Sequence, residues 1–372
     1  MRGLSDLPTA PAARGWLIRI PEVFSALTPE ILESMGIEKT MPLGPEYHLL
    51  PGQGFLPALP LAPFIRWHLP VHHSWPCHPR KMVGFVEKAA QAIRGKFAGH
   101  HPQTIQAGPL TAGAPGDYYK GLASNLRGRL LQLFPGLPVP PHDAEAQERD
   151  APTLFVLTGE TGLFCGLQSP RVSMGFHPGG TRYISQAGEE TISRAGAKLA
   201  GALHHLLLHQ PAPPSGSHWL ELGASPGGMT AELLRRGYRV TAVDRAPLDQ
   251  RLAGRAGLIF AREDVAMFQP PPARKYQALL CDMNGDAQRS LQHVIRLSRY
   301  LEPGGLVVFT LKLPNAESFT EINTVTALIR KSAEMAGLEF ISGAHLPYNR
   351  QEFTMIWRKT EPHTGGIKVE KG

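Results

Sequence analysis

Cysteine is scarce. The 372 residues hold three, Cys77, Cys165 and Cys281, with no paired spacing. That argues against a disulfide framework and for a reducing, cytoplasmic setting. No apolar run approaches the ~20 residues of a membrane-crossing helix. The N-terminus has no basic segment followed by an apolar block, so no secretory signal is expected. A P-loop and a Gly-x-Ser-x-Gly elbow are both missing, which removes support for NTPase and serine-hydrolase readings. His68, His72, His73, Cys77 and His78 cluster in the chain, but their spacing fits no zinc pattern. They read as loop and surface residues, and no metal is expected.

What is present is ordinary in bulk: 42% hydrophobic and 19% charged residues, the balance of a soluble protein. The length allows two or three domains with ample cores. Thirty-eight Lys and Arg against 31 Asp and Glu give a net charge of +7, a modest bias toward a polyanionic partner.

Residues 1–75 carry short apolar stretches broken by prolines and predict a small α+β unit. Helical spacing of apolar residues follows over Lys81 to Phe97 and again over Tyr118 to Phe134, where Leu122, Leu126, Leu130 and Leu133 share one side with Arg127 and Arg129 nearby. Pro135-Gly136-Leu137-Pro138 ends the second helix. Val139 to Asp150 reads as a surface loop. Thr153 to Leu157 and Gly162 to Leu167 flank Thr158-Gly159-Glu160-Thr161 as a hairpin, and Ser169 to Thr181 reads as a linker. From about residue 186 the pattern changes. A helix over Ile192 to His209 precedes alternating strands and helices, with strands at Trp219 to Leu222, Val240 to Val243, Leu258 to Ala261, Ala278 to Cys281 and Leu306 to Leu311. This predicts a parallel sheet with helices on both faces. Two last strands, Phe340 to Ala344 and Phe353 to Arg358, are joined too tightly for a crossover and should be antiparallel neighbours at a sheet edge. Residues 361–372 should be a flexible tail.

The most informative stretch runs from Trp219 to Thr230 through Gly223-Ala224-Ser225-Pro226-Gly227-Gly228. It is a strand, a glycine turn and a helix start, and Asp244 ends the next strand, the layout of nucleotide-binding α/β folds. A dinucleotide site wants G-x-G-x-x-G, so that pyrophosphate meets helix-terminal amides. Here the spacing is G-x-x-x-G-G, with Pro226 where a phosphate would want a free N–H. The turn suits a ligand with an adenosine end and no phosphate, and S-adenosylmethionine fits. Asp244 would accept from the ribose hydroxyls and Asp264 would face the adenine amino group, although either could equally be a helix or turn cap. Asp282 ends the fourth strand and Lys312 the fifth. A lysine ending an apolar central strand needs acidic partners, and Asp282 is the natural one.

Taken in order, Glu221-Leu222-Gly223-Ala224-Ser225-Pro226-Gly227-Gly228, Arg262-Glu263-Asp264, Cys281-Asp282-Met283, Leu311-Lys312-Leu313-Pro314 and Arg350-Gln351-Glu352 resemble the bacterial 23S rRNA cytidine 2′-O-methyltransferases of the RlmM type, within the wider FtsJ-like ribose methyltransferases. The resemblance covers about residues 165–358. It implies a Rossmann-like methyltransferase domain over 186–360, preceded by a ferredoxin-like domain (1–75) and a THUMP-like RNA-binding domain (76–180). It also implies a Lys-Asp-Lys-Glu tetrad on Lys198, Asp282, Lys312 and Glu352, with S-adenosylmethionine as cofactor and 23S rRNA as partner. Ser225 and Met229 stand where the family often has cysteine and tryptophan, and the proline-rich residues 1–110 diverge, so the target RNA is open.

A ribose 2′-hydroxyl is a poor nucleophile, and a positioned base must take its proton. Lys312 is the expected base, with Asp282 and Glu352 orienting it and Lys198 helping to hold the substrate. Burial and Lys198 push the Lys312 pKa down while the acids push it up, and sequence leaves that balance open. Two other readings stand beside this one: a methyltransferase with another substrate, and a non-catalytic RNA-binding or assembly factor that retains the fold. A monomer without membrane attachment is expected.

Overall fold

The computed structural model describes residues 12–52, 63–75, 82, 84–110, 118–138, 147–180, 184, 191–313 and 318–361. The chain divides into two compact units: residues 1–184, 201–211 and 344–350 in one, and 185–200, 212–343 and 351–372 in the other.

The first unit contains two four-stranded sheets. β1 (Gly15–Arg19), β2 (Met41–Pro42), β3 (Tyr47–Pro51) and β4 (Trp67–Val71) are ordered β2-β3-β1-β4, with α1 (Thr28–Ser34) between β1 and β2 in the chain. The second sheet has β5 (His73–Trp75), β6 (Thr104–Pro109), β7 (Thr153–Gly159) and β8 (Gly162–Gln168) in the order β5-β8-β7-β6, with α2 (Phe85–Phe97) and α3 (Tyr118–Leu133). β7 and β8 form the expected antiparallel hairpin. Every residue of β7 is buried, because both its faces are covered. Leu154 and Val156 join a core with Ile93, Phe97, Leu126 and Leu130. Phe155 and Leu157 turn the other way, to Leu17, Trp67 and Leu69 of the first sheet, as the two-residue side-chain period of a strand requires.

Three local expectations need correction. The helix expected from Lys81 starts at Phe85, since Gly84 stands before it at φ +74° and Met82 is not helical; Lys81 and Val83 lie outside the described residues. The stretch from Ser169 is more than a linker. It holds a one-turn helix, α4 (Pro170–Ser173), capped by the Ser169 hydroxyl accepting from Val172 N–H, and it buries Phe176. Nor are the histidines a surface cluster. His68 is a buried residue of β4, and His72 is buried with its Nδ1 accepting from Leu167 N–H at 3.0 Å. Burial holds both imidazoles down at about 4, with the neighbouring His100 adding to the effect at His72. His73 is partly buried in β5. Polar residue types and Pro70 disguise β4 in the sequence. Cys77 and His78 lie outside the described residues.

The second unit is built on a seven-stranded sheet. Its elements follow α5 (Ala195–Leu206) as β9 (His218–Leu222), α6 (Gly228–Arg235), β10 (Arg239–Val243), β11 (Leu258–Ala261), β12 (Tyr276–Cys281), α7 (Ala287–Ser298), β13 (Leu301–Lys312), α8 (Phe319–Met335), β14 (Leu338–Ala344) and β15 (Glu352–Lys359). The order is β11-β10-β9-β12-β13-β15-β14. Strands from β11 to β13 pair in parallel and β15 runs antiparallel to β13. This is the expected methyltransferase-like α/β fold, and the antiparallel strand lies one place in from the edge, between β13 and β14. β9 is buried throughout and β12 nearly so, as strands covered on both faces must be. α5 is shorter than the expected 192–209: the Ser193 hydroxyl accepts from Ala195 N–H at its start. Of the expected tail, residues 362–372 lie outside the described residues.

Candidate active site

The site lies at the C-terminal ends of β9, β12 and β13, where open α/β sheets gather their ligands. β9 stops at Leu222, and Gly223 turns the chain at φ +78°. A Cβ there would stand 3.0 Å from the Asp282 carbonyl oxygen and from Met283 Cγ. Glycine is thus needed for both conformation and space. Gly223 and Ala224 donate their N–H groups to the Val243 carbonyl at 3.0 and 3.3 Å, tying the turn to the end of β10. Pro226 follows Ser225 through a cis peptide, and Gly227 and Gly228 lead into α6.

Asp244 and Asp264 stand at the ends of β10 and β11, as expected, and each already has local work. Asp244 accepts from Ser225 N–H at 2.9 Å and from Ala246 N–H at 2.8 Å. Asp264, 45% exposed, accepts from Ala266 N–H at 2.8 Å and has Arg245 at 3.7 Å. The turn-capping function weighed from sequence is therefore present at both.

Lys198, Asp282, Lys312 and Glu352 come together. Lys198 reaches the site because α5 packs its first turn on the start of α6, where a Cβ on Gly196 would stand 2.9 Å from the Gly228 carbonyl oxygen. Lys312 and Glu352 end and begin paired strands and face each other in register. Lys198 Nζ lies 3.1 Å from Asp282 Oδ2 and 2.6 Å from Glu352 Oε1. Lys312 Nζ lies 2.9 Å from Asp282 Oδ1 and 2.6 Å from Glu352 Oε2. Each amine meets both acids, making a square of alternating charge whose corners are 7–19% exposed. Such mutual pairing is what offsets the cost of desolvating four ions.

The protonation states follow from this arrangement. Burial alone would raise the carboxyl of Asp282, but the Lys198 and Lys312 ammoniums outweigh it and hold it below its usual range. Glu352 is held low in the same way. For Lys312, burial works against the charged form, yet Asp282 and Glu352 prevail and its pKa lies above the ordinary lysine value. The balance that sequence left open thus falls on the side of a charged Lys312 at rest.

Sequence reasoning quoted Glu221 in a motif and gave it no function. It is buried in β9 and accepts from the Thr230 hydroxyl at 2.7 Å. Burial, with added repulsion from Asp282 and Asp244, pushes its carboxyl up to about 8. The signal was available: an acid inside an otherwise apolar central strand needs an explanation. Among the described residues, no helix is long and apolar enough to cross a membrane, and no group of three or more His, Cys, Asp or Glu is placed to hold a metal ion.

Residues 191–331 match the FtsJ-like methyltransferase family. The chain is similar to "Ribosomal RNA large subunit methyltransferase M" of Pasteurella multocida, 33% identical over 139 residues, 37% of each chain. It is also similar to the protein of that name in Halorhodospira halophila, 31% identical over 167 residues, 45% of this chain and 47% of that one. The matched stretch thus spans less than half the length of these curated relatives. Among solved structures, TrmN from Thermus thermophilus aligns over 93% of this chain and 99% of its own at 16% identity, with a TM-score of 0.36.

Proposed function

We propose that this protein, whose residues 191–331 form an FtsJ-like methyltransferase domain, transfers a methyl group from S-adenosylmethionine to a ribose 2′-hydroxyl of RNA, the substrate being a cytidine of 23S rRNA. The observation that carries the reading is the square of Lys198, Asp282, Lys312 and Glu352 beside the glycine turn. The relatives named for large-subunit rRNA methylation support the choice of substrate. A cytoplasmic monomer goes with this reading.

The turn suits the cofactor because Gly223, Ala224 and Ser225 spend their N–H groups on the Val243 carbonyl and the Asp244 carboxylate and Pro226 has none, so these four residues offer a pyrophosphate no amide. Gly223 to Gly228 would border the methionine end, with Asp244 toward the ribose and Asp264 toward the adenine. When bound, the cofactor supplies the electrophilic methyl group and a fixed positive charge.

Lys312 takes the proton of the 2′-hydroxyl as that oxygen attacks, and it can do so only as the neutral amine. At rest the square holds two ammoniums and two carboxylates, a net charge of zero. Loss of one proton from Lys312 leaves it at −1, a state that a nearby positive charge stabilises. Asp282 and Glu352, at 2.9 and 2.6 Å, orient the Lys312 lone pair toward the hydroxyl. Lys198 keeps the acids ionised while this happens, and it helps hold the ribose. In-line positioning supplies much of the remaining rate. Residues 76–180, as a THUMP-like domain, and residues 1–75, as a ferredoxin-like one, would hold the RNA largely through phosphate contacts that position it. The test is purified protein with labelled S-adenosylmethionine and rRNA from cells lacking the gene, followed by mapping of ribose methylation. One methylated nucleotide, absent without the gene, is expected; label on a base or on protein overturns the reading.

A further inference from the structure

The first unit holds a cavity of about 710 Å³ at the start of the parallel strand pair β6 and β7, well apart in the sequence from the residues of the square. Its polar floor is Gln106 with Thr104 and Thr153, and Thr104 and Thr153 are direct partners in register. Gln106 is only 8% exposed. Among the described residues its carboxamide has no hydrogen-bond partner, although it faces the cavity. Its amide atoms are not sealed from solvent, so the carboxamide is open to a polar group that enters the cavity.

The walls are largely apolar, with Phe134 and Leu137 beyond the end of α3 and Phe176 from the stretch after β8, and Gln103 and Gln147 add further polar groups. At the rim stand Arg94 and His101, together with one carboxylate, the exposed Glu148. Arg94 makes no ion pair among the described residues. His101 adopts the left-handed conformation at φ +46°, a cost that non-glycine residues carry where the surrounding structure demands it.

A largely apolar cavity lined by the carboxamide of Gln106 and the guanidinium of Arg94 has the chemistry of a nucleotide site. The ring packs on apolar walls, the amide donates to and accepts from the base edge, and the cation meets the phosphate. We propose that this cavity takes one unpaired nucleotide of RNA, read by Gln106. The inference rests on the RNA substrate proposed above and adds a second, non-reacting base contact to it.

The test uses the full chain, fluorescein-labelled hexaribonucleotides of each base, and the four nucleoside monophosphates as competitors. Gln106→Leu removes the amide at similar volume. We expect ~10-fold or greater weakening for the preferred hexamer, by the discrimination a bidentate base contact gives, and loss of the preference among the four. Arg94→Gln, at an exposed position that folding tolerates, should lower the salt dependence of binding by about one counterion. S-adenosylmethionine binding should be unchanged in both variants. Equal hexamer binding by wild type and both variants overturns the site while leaving rRNA methylation intact. Competition by monophosphates that depends on Gln106, with no Gln106 effect on hexamers, makes it a free-nucleotide site and overturns the RNA assignment. Absence of RNA binding and methylation by the wild type overturns the substrate reading itself.

Discussion

Lys312 and Glu352 face each other across β13 and β15, with Nζ 2.6 Å from Oε2. The relationship is dictated by strand register: a slip of β15 by one residue would turn Glu352 to the face opposite Lys312. Because β15 runs antiparallel to β13, the last residue of one strand meets the first of the other at the edge where β9 also ends. The backbone ladder itself thus sets two corners of the charged square.

Lys312→Ala should lower methyl transfer by ~10²–10⁴, the usual worth of a general base, with S-adenosylmethionine affinity changed little. Lys312→Arg should be equally inactive, since a guanidinium keeps its proton. As the proposed base, the amine must be neutral to act, and its pKa lies above the ordinary lysine value. The single-turnover rate should therefore climb with pH through the alkaline range, and that slope should vanish in Lys312→Ala. Calorimetry and a methyl-transfer time course over pH check all three.

Removing one corner should destabilise the second unit more than removing two opposite charges together. Asp282→Ala leaves two ammoniums on one acid and should cost ~2–4 kcal/mol, somewhat under a fully buried pair because the corners are partly exposed. Lys312→Met with Asp282→Leu keeps the 2.6 Å pair of Lys198 and Glu352 and should recover much of that loss. Urea midpoints of Asp282→Leu, Lys312→Met and the two together measure the coupling.

Glu221 gives a pH signature of opposite sense to ordinary acid unfolding. Its carboxyl stands at about 8 in the folded chain against an ordinary 4.5. The stabilisation linked to this raised value is complete below 4.5 and is lost as pH rises through 8. Glu221→Gln keeps an acceptor for the Thr230 hydroxyl and removes the slope. Between these limits the wild type should lose on the order of 3–5 kcal/mol relative to the variant. Paired urea unfolding across that range decides the matter; parallel curves would place Glu221 at an ordinary acid value.

Gly223→Ala should be costly beyond its size. The position has φ +78° and a Cβ would crowd the Asp282 carbonyl at 3.0 Å. A loss of ~1–3 kcal/mol is expected from the backbone conformation alone, with weaker cofactor binding because the turn and Asp282 must move apart. Thermal melts with and without S-adenosylmethionine separate the two effects.

Much of the second unit was legible because its strands are apolar runs between turn signals, and all five expected parallel strands lie where the pattern put them. Asp282 and Lys312 could be read from chemistry, as a charged residue ending an apolar strand and the acid beside it. Lys198 and Glu352 could not. One lies on a helix with no motif of its own and the other opens a strand whose antiparallel placement decides its neighbours; only the family resemblance singled them out. The first unit was harder to read. β4 carries His68 and Pro70 and is nonetheless buried, because both sides of its sheet are covered, which no local pattern reports.

The insertion of β15 between β13 and β14 also sets an order of assembly. During synthesis every other strand of that sheet emerges from the ribosome first, so β13 and β14 must await, or part for, the segment that joins them. Until then two amines face a single acid. The charged square is thus complete only once the sheet has closed.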